Sequence, residues 1–219
     1  MTAEKLEPES YSPAPLFPDL FLDDVFTLET PRLFLRWPKA ADIPALVVQA
    51  GDARVSRDHA VLPHPYKRED GEQFVAFARG VNAEGNNLHL AIAKRGAPEK
   101  LIGCVGLRTR ANGEVSIGYW LGVEHWGQGF ATEATQAILD AVFLYTELES
   151  VIAEVRVTNE ASRRVLARCG FQYEGSGMCA RPAFNDVVAA DCYRLTRSLW
   201  ASLKGWRAPL PHGRLMVVE

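Results

Sequence analysis

Of 219 residues only four are cysteine, Cys104, Cys169, Cys179 and Cys192, and no Cys-x-x-Cys pair or Cys/His cluster occurs. Structural zinc needs such spacing, so no metal site is expected. A basic excess is lacking too, since 24 Lys and Arg against 27 Asp and Glu leave a net charge of −3. A nucleic-acid partner would need a basic face to neutralise phosphates and is not expected, though a local basic patch stays open. No uncharged apolar stretch approaches the roughly 20 residues of a spanning helix, so no membrane partner is expected. The opening MTAEKLEPES has no apolar h-region, which argues against a secretory signal and for a reduced, cytoplasmic compartment. Neither G-x-G-x-x-G nor G-K-[ST] is present, which removes the dinucleotide-binding and Walker loops.

What remains is ordinary globular material, 47% hydrophobic and 23% charged, enough for one sizeable core. Pro8, Pro13, Pro15 and Pro18 mark an extended or disordered arm to about residue 19. A more apolar piece, 20–26, is available to dock on the domain or a partner. The expected organisation is an arm over 1–27, partly disordered, one domain over 28–200 and an extension over 201–219.

Alternation in Thr30-Pro-Arg-Leu-Phe-Leu-Arg-Trp37 predicts a strand with Leu33 and Leu35 on one face. Helices are expected over 40–49 and 68–81, the second with Phe74, Phe77, Ala78 and Val81 on its buried stripe. Strands follow over 88–94, 101–108 and 114–121, broken at Gly96-Ala-Pro98 and at Asn112-Gly113, a hairpin signal. A helix from Ala131 to Tyr145, a strand over 151–157 and a helix over 159–168 ended by Gly170 come next. Two last strands, 171–175 and 191–197, are separated by a loop. The fold class is therefore mixed α/β (α+β), with a mainly antiparallel sheet of about seven strands, about four helices and one parallel crossover at the helix from Ala131.

The segment richest in chemistry is Ile117-Gly-Tyr-Trp-Leu-Gly-Val-Glu-His-Trp-Gly-Gln-Gly-Phe-Ala-Thr-Glu-Ala134. A strand ends near Leu121, glycines follow, and a helix begins. Gly127 and Gly129 permit backbone shapes closed to other residues, and the free amides at the helix start suit a pyrophosphate. The plainer reading is a glycine-rich connection.

Here the residues resemble a family. Trp126-Gly-Gln-Gly-Phe-Ala131 is similar to the acyl-CoA pyrophosphate loop, Q/R-x-x-G-x-G/A, of GNAT N-acetyltransferases, with Gly129 and Ala131 at its last two fixed positions. Trp126 stands for the Gln or Arg, a departure common in the RimJ/RimL-like branch. The I-G-Y-W-L run, Asn159-Glu-Ala-Ser162 followed by Cys169-Gly-Phe171, and the T-x-R-L-x-L-R of residues 30–36 also resemble that branch. The resemblance implies the GNAT fold, acetyl-CoA as cosubstrate without a metal, and a primary amine of a protein N-terminus or small molecule as acceptor, attacked directly in a ternary complex.

Residue by residue, it implies that Tyr119, Trp120 and Leu121 offer backbone hydrogen bonds to pantetheine at a splayed strand. Trp126, Gly127, Gln128, Gly129, Phe130, Ala131 and Thr132 would hold the pyrophosphate, chiefly through main-chain amides. Asn159 and Ser162 would lie near the thioester, and Asn159 also fits an N-cap. The branch often places Glu just before I-G-Y. Here Ser116 stands there and Glu114 lies two residues back, either relaying a proton through water or solvated in the hairpin. The Tyr that many GNAT enzymes use on the late helix is matched by Leu166, which leaves Ser162 as the substitute acid or a hydroxyl bonded to its own helix. His125 reads as a loop histidine on the solvent side rather than a base. Cys169 reads as a core hydrophobe, and Arg163, Arg164 and Arg168 as a solvated face or a contact for the CoA 3′-phosphate.

Two other functions stay open: a catalytically weak acyl-CoA-binding or sensing module, and an interaction protein built on the arm and tail. In the tail, Trp200, Leu203 and Trp206 share a helical stripe and Leu215-Met-Val-Val218 is an apolar run. Such a tail is expected to pack, either onto its own sheet or across a partner in a homodimer.

Overall fold

Asn112 and Gly113 reverse the chain as such a pair does between apolar runs, Gly113 with φ of 83°. They join β4 (Ala97–Thr109) to β5 (Val115–Leu121), and β4 itself follows β3 (Asn87–Lys94), giving a three-strand antiparallel meander. This is a computed structural model that describes residues 15–206. Around the meander stand β1 (Thr27–Glu29), β2 (Leu33–Arg36), β6 (Ser150–Arg156), β7 (Gln172–Arg181) and β8 (Asp186–Thr196). One sheet runs in the order β1-β2-β3-β4-β5-β6-β8-β7. Only the β5–β6 contact is parallel.

That exception follows from the crossover. α4 (Phe130–Tyr145) lies between β5 and β6 in the chain, and a helical crossover returns the next strand parallel. The other helices are α1 (Ile43–Ala50), α2 (Ala53–Ser56), α3 (Arg68–Ala83), α5 (Glu160–Cys169) and α6 (Arg197–Trp206). Side chains of a strand alternate between faces, and β5 shows both cores. Val115, Ile117, Tyr119 and Leu121 join the larger cluster with α4 and α5, whereas Trp120 joins a smaller one with α1 and α3.

Several details differ from the sequence reading. The sheet has eight strands, because 27–29 pairs outside β2 and Thr30 turns the chain, its N–H donating to Leu33 O and its Oγ1 accepting from Leu33 N at 2.8 Å. α3 buries Gly71, Val75, Ala78 and Asn82, and Phe77 is 53% exposed. The rotation has a cause: Asn82 turns inward and straps β3, donating to His89 O at 3.0 Å and accepting from His89 N at 2.7 Å. The expected late loop is instead the body of a long β7–β8 hairpin, whose short turn carries Asn185 at φ of 50°.

At the start of the described chain, Phe17, Phe21 and Phe26 are buried in the larger core, and Phe17 N donates to Gly85 O at 2.9 Å. At its end, Trp200 packs 5.3 Å from Phe143 and donates through Nε1 to Asp140 at 2.8 Å. The apolar stripe of α6 thus turns back onto α4. Residues 1–14 and 207–219, including the 215–218 run, lie outside the described residues.

Candidate active site

The parallel contact is short. β5 meets β6 only at Val115↔Val151 and Ser116↔Ile152, while β6 stays paired with β8 through Arg156. From Ile117 onward β5 therefore leaves its neighbour, and the sheet opens at its centre. Backbone groups along such an edge need partners. Two carbonyls find them in side chains: His59 Nε2 lies 3.1 Å from Tyr119 O, and Trp126 Nε1 donates to Leu121 O at 2.8 Å. The polar atom of Trp126 thus fixes the loop to the strand, and its ring remains 46% exposed.

Beyond Leu121 the chain makes one 3-10 turn, passes Gly127 (φ 72°) and Gly129 (φ 81°), and enters α4 at Phe130. No side chain caps α4, so its first amides, on Phe130, Ala131 and Thr132, face an anion's natural position. The loop is braced from outside. Arg32 Nη1 donates to Gln128 O at 2.9 Å, and Arg32 Nε donates to Glu133 at 2.6 Å. Thr30 Oγ1 donates to the other Glu133 oxygen at 2.6 Å, and Gln128 Nε2 donates to Glu124 O at 2.9 Å. The Arg32 guanidinium also stands 4.8 Å over the Phe130 ring, with Lys94 at 5.6 Å. Arg32, paired with Glu133, and Lys94 therefore flank the uncapped helix end, leaving one net positive charge there. The residues present fit a pyrophosphate.

At the far wall of the opening, Asn159 caps α5, its Oδ1 accepting from Ser162 N at 3.0 Å. Ser162 Oγ meets Tyr119 OH at 2.9 Å. Burial drives the Tyr119 pKa well up, so the phenol stays protonated. Leu166, at the position matched to the family's Tyr, is fully buried in the core.

The other sequence candidates lie elsewhere. Glu114 accepts from Arg194 at 2.9 Å and from Asn112 Nδ2 at 2.8 Å, and these bonds hold its carboxyl below the usual range. It precedes the stretch where β5 and β6 are still joined, about 16 Å of strand from Tyr119 at 3.3 Å per residue. Ser116 is buried and bonds Arg108 O at 3.3 Å. His125 is buried rather than on the solvent side, because the 3-10 turn carries it inward, and burial lowers its pKa. Cys169 is buried among core residues. Arg163 pairs with Asp191 at 3.4 Å and Arg164 with Glu160 at 3.4 Å.

Sequence reasoning missed two things here. It took Tyr119 for its backbone alone, though its hydroxyl meets Ser162 across 43 residues of chain. It also passed over His59, in a connecting segment without periodicity. Burial lowers the His59 pKa, leaving a neutral imidazole at neutral pH.

The profile of the acetyltransferase (GNAT) domain matches residues 32–172. Among curated relatives, p20 of Bacillus licheniformis, an uncharacterised N-acetyltransferase, is 31% identical over 151 residues, 68% of this chain and 84% of that protein. The ribosomal-protein-serine acetyltransferase of Escherichia coli is 35% identical over 79 residues, 35% of this chain and 44% of that one. Mycobacterium smegmatis RimJ, solved with CoA-disulfide, superposes with a TM-score of 0.66 at 22% identity, covering 78% of this chain and 86% of that one. A sheet opened beside a braced, uncapped helix end, joined to these matches, makes the chain an acyltransferase of the GNAT acetyltransferase family, in its RimJ/RimL-like branch.

Proposed function

We propose that this protein transfers the acetyl group of acetyl-CoA to a primary amine, of a small molecule or a protein N-terminus, by direct attack within a ternary complex. The observation that carries the reading is the Tyr119–Ser162 hydroxyl pair at the opened edge of β5, with the anion-ready start of α4 at the same strand's end. The amine nitrogen bonds to the thioester carbonyl carbon, the carbon–sulfur bond breaks, and the departing thiolate takes a proton. Tyr119, kept protonated by burial and bonded to Ser162, supplies that proton or relays it through Ser162. The amides of Gly127 to Thr132 hold the pyrophosphate, and Arg32 keeps the loop in place.

The attacking amine must be neutral. With the Nε2 proton given to Tyr119 O, His59 keeps a lone pair on Nδ1. That placement favours His59 over Glu114, whose carboxylate is engaged by Arg194, as proton acceptor. Steady-state CoA release over a panel of amines, with acetylated product identified by mass, tests the reading. Turnover with any amine class supports it. Acetyl-CoA affinity without turnover makes the protein an acyl-CoA-binding or sensing module instead, a reading that Leu166 at the family's Tyr position keeps in view.

A further inference from the structure

The segment after α2 reaches from the reacting edge to a second feature. Two residues before His59, Arg57 O accepts from Arg156 Nη1 and from Arg181 Nη1, each at 2.8 Å. One residue after it, Ala60 O accepts from Ala183 N at 3.3 Å. The segment thereby ties the β5 edge, at Tyr119 O, to β6 and to the β7–β8 turn. Beside it lies an open cleft of about 330 Å³ lined by Arg57, Arg156, Arg181, His64 and Phe184.

Three guanidinium groups converge there on two carboxylates. Arg181 engages Asp186 at 2.8 Å through Nε and lies 4.3 Å over the Phe184 ring, which fixes its plane. Asp58 serves both Arg156, at 3.0 Å, and Arg57, at 3.8 Å, and the Arg57 side chain is 69% exposed. One positive charge is left over, beside a guanidinium with room for a bidentate partner. In a protein of net charge −3 such a surplus is local, not a general property of the surface.

Resting on the acetyl-transfer reading, we propose that this cleft is the acceptor's anion subsite, and that the preferred acceptor is an amine carrying a carboxylate or phosphate. The anion seats against Arg57 and Arg156. The amine then lies toward His59 and Tyr119, since the same short segment links the two places. Guanidinium is suited to this task because its fork matches either oxyanion and stays charged at every working pH.

Two measurements on the full chain test the proposal separately from the acetyl-transfer reading. The first is titration of inorganic phosphate and of succinate, followed by calorimetry and by NMR shifts of arginine side chains. Saturable binding is expected, weakened about tenfold in Arg57→Gln, the size of one lost charge-assisted hydrogen bond. The second is kcat/KM over matched amines: glycyl-aspartyl amide against glycyl-asparaginyl amide, and phosphoethanolamine against ethanolamine, so that only one member of each pair carries an anion. The wild type should favour the anionic member by about tenfold or more, and the ratio should collapse toward one in Arg57→Gln and invert in Arg57→Glu. Which pair shows the larger ratio separates a carboxylate from a phosphate preference. No saturable anion binding, or a ratio near one in active wild type, overturns the proposal, as does a preference untouched by both substitutions. Anion binding that depends on Arg57 in a protein acetylating no amine leaves the subsite standing and removes the acetyl-transfer reading.

Discussion

The two ends of the opened β5 edge are made of different material. Toward α4, binding groups are backbone: glycines at positive φ, uncapped amides, and side chains such as Arg32, Gln128 and Trp126 that only hold the main chain in place. Toward α2 and the β7–β8 turn, the groups are long side chains: His59 at Tyr119 O, and Arg57, Arg156 and Arg181 around the neighbouring cleft, the last two bonded to Arg57 O. A backbone site reads what all acyl-CoA molecules share and changes only when its glycines change. A side-chain site can be rewritten one residue at a time. On the reading proposed above, the comparison teaches where specificity resides: the cosubstrate would be fixed by chain geometry, the acceptor by charge.

The contrast breaks most readily at Gly129. Its φ of 81° and an Arg32 nitrogen 3.3 Å from where a Cβ would stand leave little room for a β-branched residue. Gly129→Val should weaken CoA binding about 10–100-fold, the loss of one or more bonds to a charged group. Calorimetric titration of folded protein reads it, and unchanged affinity would sink the loop assignment.

The next effect lies midway along the edge. Tyr119→Phe and Ser162→Ala should each lower kcat by about 100-fold, the low end for general acid catalysis because a thiolate leaves readily. Acetyl-CoA KM should hold. The double variant should lose no more than the worse single one if the pair acts as a unit. Additive losses would show two separate roles.

On the side-chain end, His59→Gln keeps a donor for Tyr119 O but removes the lone pair. It should lower kcat about 100-fold at neutral pH and erase the acid limb of the pH profile. That limb falls below the ordinary histidine range, since burial lowers the His59 pKa and only the neutral ring accepts a proton.

Glu114→Gln is expected to have the smallest effect, with a rate near wild type. Its folded pKa is depressed by Arg194 and Asn112, so its contribution to stability is present above the ordinary carboxylate value and disappears as pH falls through the lowered one. Melting curves of wild type and Glu114→Gln should therefore differ slightly at pH 7 and converge in acid. A large drop in kcat with acetyl-CoA KM unchanged would return the proton relay to Glu114.

Legibility followed the range of the forces involved. The β3–β5 meander could be read because alternation and Asn112-Gly113 are local. α5 could be read because Asn159 caps its start and Gly170, at φ of 93°, ends it. The β7–β8 hairpin was only half legible, since most of β7 is exposed and its residues show no burial rhythm. The buried face of α3 was misplaced because Asn82, a polar residue, takes an inward position to bind the His89 backbone. Within the site, the loop before α4 has a linear signature, whereas Tyr119–Ser162 and His59–Tyr119 are meetings of distant positions with none.

The long hairpin and the buried phenylalanines also bear on what can be cut away. The matched family region ends at residue 172, yet β8, an interior strand between β6 and β7, begins at Asp186. The same region starts at 32, after Phe17, Phe21 and Phe26, each worth about 1.5–3 kcal/mol of burial. A fragment trimmed to the family boundaries would bare the edge of β6 and the underside of α4 together. A unit able to fold is therefore expected to reach beyond the 32–172 match on both sides, with β8 and the three phenylalanines as parts of its core.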